Sequence, residues 1–169
     1  MFENIIKNVH NRHPLIHCIT NYVSINDCAN IVLACGGAPI MAEDINEVSQ
    51  ITSICQGLDI NIGMLNDNKL SSMLKAGATA NELGIPVILD PVGAGSSDYR
   101  IKAVQNLMSN VQFGVIRGNV SEIKAIAAKQ GIHNIAAGVY ETMQKNKSAM
   151  GVEAGIADKI TDDNKIGRA

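Results

Sequence analysis

The amino-acid sequence predicts a doubly wound α/β layer structure built on a largely parallel sheet. Two stretches carry most of that prediction. Val87-Ile-Leu-Asp-Pro-Val-Gly-Ala-Gly95 and Val115-Ile-Arg-Gly-Asn-Val-Ser-Glu-Ile123 each open as an apolar run and break off in polar and glycine-rich residues. Buried parallel strands have this form, and open α/β sheets bind ligands beyond the carboxyl ends of such strands. The third observation is alternation: helix-period segments separate short strands along the chain. That order demands right-handed crossovers and a sheet covered on both faces.

Residues 3–9 read as an opening helix, stopped by Asn11 and Pro14. Residues 15–19 are a short apolar strand running into Thr20 and Asn21. Ser24 is placed to cap a helix through Ala34, closed by Gly36 and Gly37. Pro39-Ile-Met41 is a brief strand, and residues 46–56 form a helix ending at Gly57. Residues 58–62 are strand, after which Asn66 or Asp67 caps a long helix to Leu83, closed by Gly84. Strand 86–89, helix 98–109, strand 114–116 and helix 120–128 follow, with a last stop at Gly131. Glycine stops at Gly36, Gly57, Gly84 and Gly131 would use that residue's tolerance of positive φ. No linker, low-complexity tract or repeat beyond the β-α unit interrupts the pattern, so residues 1–169 read as a single domain.

Composition narrows the function. The 46% hydrophobic and 3% aromatic content makes the core aliphatic. A formal charge of −2 gives no broad basic surface, which argues against nucleic acid. Apolar runs such as Ile31-Val-Leu-Ala-Cys35 are too short to span a bilayer, and the start lacks a secretory pattern, so a cytoplasmic protein is expected. Cys18, Cys28, Cys35 and Cys55 have no metal-ligand spacing and read as small buried thiols of a reducing compartment. His10, His13 and His17 are loosely spaced without a fourth ligand, and read as surface and turn histidines.

Along the rim defined by the two opening stretches stand Asp90, Arg117, Asn119 and Glu122. A carboxylate, a guanidinium, an amide and a second carboxylate beside flexible glycines suit a metal-bound polyphosphate and suit an apolar ligand poorly. Gly93-Ala-Gly95 is half of a dinucleotide fingerprint without its third glycine, and no P-loop exists. A plainer alternative stands for Asp90: a turn carboxylate capping the next helix. Glu122 is equally at home as a first-turn carboxylate.

At these residues the chain resembles a known family. His17-Cys-Ile-Thr-Asn21, Gly37-Ala-Pro-Ile-Met-Ala42, Asn61-Ile-Gly63, Ala80-Asn-Glu-Leu-Gly-Ile-Pro-Val-Ile-Leu-Asp-Pro-Val-Gly-Ala-Gly95 and Ile116-Arg-Gly-Asn-Val-Ser-Glu-Ile123 are together similar to hydroxyethylthiazole kinases, of the ribokinase-like superfamily. The resemblance implies a ribokinase-like three-layer α/β/α fold. It implies ATP- and Mg2+-dependent phosphorylation of the hydroxyethyl side chain of 4-methyl-5-(2-hydroxyethyl)thiazole, in thiamine biosynthesis or salvage. A homotrimer with thiazole pockets at subunit boundaries goes with it. Carried across by position, Asn21, Val23 and Met41 match the thiazole-binding side, Arg117 and Asn119 the ATP phosphates, and Asp90 and Glu122 the metal side. A flat ring wants a soft contact such as Met41, although a lone methionine is by default core.

Departures from the family matter too. Its anion-binding turn, which handles the substrate hydroxyl, has no counterpart before Ala169, and no catalytic residue is assigned. Residues 130–150 are longer than expected, and Met64 stands where the family commonly has threonine. The sequence therefore reads as an amino-terminal part of a kinase, with its carboxy-terminal part missing. The alternative is a non-catalytic thiazole-binding or assembly module; a sugar or pyridoxal-type kinase is disfavoured by the segments at His17 and Gly37. One oxyanion-type donor is worth on the order of 3 kcal/mol of barrier, so these 169 residues alone are expected to turn over very slowly or not at all. A kinase assay with thiazole alcohol, magnesium and ATP checks this, normal turnover being the contrary result.

Overall fold

Pro14 and Thr20 bracket five residues that cannot join a helix, and they form the first strand of an all-parallel sheet. In the computed structural model, residues 2–129 are described. The elements run α1 (Phe2–Arg12), β1 (Leu15–Ile19), α2 (Ile25–Ala34), β2 (Ala38–Ile40), α3 (Val48–Ile54), β3 (Gly57–Asn61), α4 (Asp67–Glu82), β4 (Val87–Asp90), α5 (Asp98–Asn110), β5 (Val115–Ile116) and α6 (Val120–Lys129). The sheet order is β2-β1-β3-β4-β5, every pair parallel. The expected stop at Gly131, the long segment 130–150 and the family-like stretches after it lie outside the described residues.

Order and register decide where a ligand can sit. The chain leaves β1 towards β2 on one side, then returns past β1 to β3 and β4 on the other. Right-handed crossovers then put α2 on the opposite face from α3, α4 and α5. Connections diverge between β1 and β3, which opens a crevice at their carboxyl ends.

One sheet face carries His17, Ile19, Leu58, Ile60, Val87 and Leu89, all buried to at least 99%. These pack with Val48 of α3, Met73, Ala76 and Ala80 of α4, and Val104 and Leu107 of α5. The expectation of cover on both faces meets a difference. On the other face Ile88 is 42% and Val115 52% exposed among the described residues. α2 covers that face only near β1 and β2.

Helix ends follow side-chain chemistry, with corrections. Asn66 caps α4 by accepting from the Lys69 N–H (2.9 Å), and Ser97 caps α5. Ser24 stands at the α2 N-cap but makes no side-chain cap; its N–H and hydroxyl both donate to Asn21 Oδ1. Gly36 and Gly84 have positive φ, as expected, but Gly57 does not and instead begins β3. Cys55 closes α3 in an extended conformation, so no left-handed residue was needed there.

Three side chains depart from their expected setting. His17 is fully buried mid-sheet rather than on the surface, because its ring is satisfied: Nε2 lies 2.7 Å from the Ala42 carbonyl and Nδ1 2.9 Å from Thr52 Oγ1. Burial, its largest influence, lowers the His17 pKa, so the ring is neutral, with Nε2 donating to the Ala42 carbonyl. Cys18 and Cys55 are buried thiols as expected, whereas Cys28 is half-buried and Cys35 exposed at the end of α2.

Gly77 sits inside α4, where glycine costs about 1 kcal/mol relative to alanine. The reason is close approach: a Cβ there would meet Val111 Cγ2 at 2.5 Å and Cγ1 at 2.8 Å. Gly77→Ala is therefore expected to destabilise by about 1 kcal/mol net, overpacking outweighing helix propensity. In a Val111→Ala background the same substitution should become neutral or stabilising, and a urea-denaturation mutant cycle reads the sign reversal.

Candidate functional site

β3 and β4 end in the polar residues Asn61 and Asp90, β5 runs into Arg117, and register brings these tips together. Asn61 is paired in register with Asp90 at the ends of β3 and β4. Asp90 Oδ2 accepts from Asn61 Nδ2 at 3.0 Å and from Arg117 NH1 at 3.1 Å. The Arg117 side chain is 77% exposed and Asp90 17%, so the guanidinium reaches inward from solvent to a sheltered carboxylate. Asp90 therefore does not cap α5, a task Ser97 performs.

Asn119 and Glu122 form a reciprocal capping box at the start of α6. The Asn119 N–H donates to Glu122 Oε2 (2.8 Å) and the Glu122 N–H to Asn119 Oδ1 (3.0 Å). Glu122 Oε1 also accepts from the Gly93 N–H at 3.0 Å, tying the β4–α5 loop to α6. Gly93 has φ 68°, which points that amide at the carboxylate. Arg100 braces the same loop, donating to the carbonyls of Ile62 (2.5 Å), Val92 (2.9 Å) and Gly63 (2.9 Å).

On the other side of the crevice lies a cavity of about 160 Å³ lined by Cys18, Thr20, Tyr22, Ile25, Met41 and Glu43. Its wall is held by Lys69, 4% exposed, reaching up from α4. Lys69 Nζ donates to the Thr20 carbonyl at 2.5 Å, pairs with Glu43 Oε2 at 2.7 Å and lies 4.5 Å over the Tyr22 ring. The Tyr22 hydroxyl donates to Glu43 Oε1. A buried ammonium is stable only with such a set of partners.

Of the residues the sequence singled out, Met41 lines this cavity and Asn21 stands at the crevice, bonded to Asn61 (Nδ2 to Oδ1, 3.3 Å). Val23 does not join them: it is 92% exposed and outside the cavity lining. Met64 is 42% exposed and also outside it. Asp90 with Arg117, and Asn119 with Glu122, are brought together. Sequence reasoning quoted Asn61 within a family-like segment but gave it no role, and it missed Lys69, Glu43 and Asp59. Asn61 carried a signal, a polar residue ending an apolar strand as Asp90 does; Lys69 in mid-helix carried none.

Asp59 lies one pleat below Asn61 on the partly uncovered sheet face. Burial and the nearby Asp90 charge push its carboxyl up to about 6, partly opposed by Arg117. Its neighbour Cys18 is pushed up to about 12 by burial and then by Asp59, which makes it an unreactive thiol. Among the described residues no group of three or more His, Cys, Asp or Glu side chains converges on a metal position. A carboxylate, an amide and a guanidinium are a donor set that suits a hard cation only if a ligand's oxygens and water supply most of its shell. No helix among the described residues is long and apolar enough to cross a membrane.

A parallel sheet with a switch-point crevice, a guanidinium–carboxylate pair on one flank and a cavity on the other defines an open α/β protein, a class whose small-molecule sites lie at this edge. Comparison with known proteins narrows the class. A profile described as "HK: Hydroxyethylthiazole kinase family" matches residues 6–162. A hydroxyethylthiazole kinase of Clostridium acetobutylicum is 53% identical over 163 residues, 96% of this chain and 54% of the relative. One of Alkaliphilus metalliredigens is 58% identical over 124 residues, 73% of this chain and 46% of the relative. The solved hydroxyethylthiazole kinase structure from Pyrococcus horikoshii OT3 superposes with a TM-score of 0.74 at 39% identity, covering 79% of this chain and 52% of that one. This chain belongs to the hydroxyethylthiazole kinase family and spans about half the length of the relatives it matches.

The Asp59 carboxyl keeps its proton in the folded state up to about pH 6, whereas the unfolded chain releases it near its ordinary value. The folded state thus holds the extra proton in that window, and stability falls as pH rises through it. Asp59→Asn should be more stable than the parent by about 1–2 kcal/mol at about pH 8, the two converging below about pH 4. Urea midpoints measured across that range check the sign.

Proposed function

We propose that this chain provides the substrate- and phosphate-facing half of a hydroxyethylthiazole kinase, which uses ATP and Mg2+ to phosphorylate 4-methyl-5-(2-hydroxyethyl)thiazole. The observation that carries the reading is the division of the carboxyl edge. Met41 and Asn21 stand at one flank, and Asp90 with Arg117 at the other, across a single crevice. Family membership supports the reading from outside the geometry.

Met41 offers a soft wall to the thiazole ring and Asn21 a polar edge to orient it. Val23, projecting from the surface, serves a pocket completed by a second copy in a trimer. Arg117 swings from Asp90 to the phosphates, where its fork pairs two oxygens at once. Asp90, relieved of that partner, faces the metal. Asp90 would hold the magnesium ion, with Glu122 beside it, and the ion would supply charge neutralisation at the phosphates. Asn119 and the amides at the start of α6 give the phosphates a positive helix end. Residues 1–169 would then belong to one ribokinase-like domain of a cytoplasmic enzyme.

Calorimetric titration with thiazole alcohol, and separately with Mg-ATP, tests the reading; binding of both is expected. Arg117→Ala should weaken Mg-ATP about 10- to 100-fold, the worth of charge-assisted hydrogen bonds, and leave thiazole alcohol within about twofold. Met41→Ala should do the reverse. Loss of both affinities in either variant would contradict the assignment of flanks.

A further inference from the structure

We infer that Asn61 is a positioning residue that joins the two flanks of the site, so that each ligand is felt at the other through one side-chain amide. The inference rests on the kinase reading above, and its grounds are the direction and completeness of a hydrogen-bond chain.

Asn61 is 8% exposed and stands at the end of β3, where the crossovers diverge. Its Nδ2 donates to Asp90 Oδ2 at 3.0 Å, and its Oδ1 accepts from the Gly63 N–H at 2.8 Å and from Asn21 Nδ2 at 3.3 Å. The amide orientation is chemically forced. Turned over, it would set an oxygen against the Asp90 carboxylate and an NH2 group against the Gly63 N–H. Asn21 is locked in the same sense, its Oδ1 accepting from the Ser24 N–H (3.0 Å) and hydroxyl (3.1 Å).

The donors therefore all point one way: Ser24 to Asn21, Asn21 to Asn61, Asn61 to Asp90. Arg117 meets the same Asp90 oxygen from the other side. A chain of aligned donors that ends on a carboxylate is polarised along its length, and each link strengthens the next. Drawing Arg117 away from Asp90, or setting a cation beside Asp90, changes the charge at the end of the chain. That change reaches Asn21, the group that faces the ring. The converse holds for a ring that reorients Asn21. A role in the turn alone would need only the Gly63 N–H bond to Oδ1; the links to Asn21 and Asp90 have no such purpose.

The test uses the 15N-labelled full chain and follows the Asn61 side-chain NH2 signal, assigned by its loss in Asn61→Ala. Thiazole alcohol alone and Mg-ADP alone are each expected to move that signal, Mg-ADP still doing so in Met41→Ala and thiazole alcohol still doing so in Arg117→Ala. Asn61→Ala should weaken both ligands by about tenfold, the worth of a short hydrogen-bond network. An Asn61 signal that answers only one ligand, or neither, while both bind overturns the inference. Calorimetry on the unmodified chain separates the two failures: no binding of either ligand defeats the kinase reading and the inference with it, whereas binding of both with a silent Asn61 amide defeats the inference alone.

Discussion

The pairing of β3 with β4 in a register that sets Asn61 beside Asp90 is the constraint on which the carboxyl edge depends. A carboxylate at 17% exposure is costly unless its charge is met. Here an amide meets it from the strand and a guanidinium from solvent. A slip of one residue would turn Asp90 and Asn61 to the aliphatic face, against Met73 and Val104, and expose Leu89 in exchange. The apolar pattern of the two strands thus protects the register, and the register assembles the polar cluster. Core and site are specified by the same alternation.

The two flanks solve a common electrostatic problem differently. On the Met41 side the charge is an ammonium brought from the core by α4, and Glu43, the Thr20 carbonyl and the Tyr22 ring surround it. Because Lys69 holds loops after β1 and β2 together, its charge is spent within the fold. On the Arg117 side the cation sits at the surface and its one ion pair is weak, as exposed pairs are. A cation held loosely can be handed to an incoming anion at small cost. The buried charge braces a cavity wall, and the exposed one stands open to solvent.

Much of this was legible from the residues. β1 is bounded by Pro14 and Thr20, and its predicted limits coincide with those of the structure. α4 was legible because Asn66 caps it and Gly84 ends it in positive φ. The pair Asp90 and Arg117 was legible as polar residues at the ends of apolar runs. What escaped depends on reach across the fold. Lys69 is a helix lysine like any other until tertiary contacts bury it. His17 looked like one of three loose histidines because nothing local shows that Thr52 and Ala42 will satisfy its ring. Gly57 looked like a helix stop because a glycine that permits strand approach, here by Ile16, has the same letter. Val23 was carried over by resemblance alone, and no local feature of the sequence shows that it stands exposed outside the cavity lining.

Glu122 is tied into the fold through both of its carboxylate oxygens. Both of its oxygens already accept backbone N–H groups, from Asn119 and from Gly93. Recruiting it as a direct metal ligand would uncap α6 and release the Gly93 loop, at about 1 kcal/mol for each bond surrendered. Asp90 presents a different balance, since both of its bonds converge on Oδ2 and one of them comes from an exposed guanidinium. Magnesium demands few protein ligands when phosphate oxygens and water complete its shell. On the proposed reading, the arrangement that disturbs fewest bonds would leave Asp90 to meet the cation and Glu122 to hold the glycine loop and the helix start.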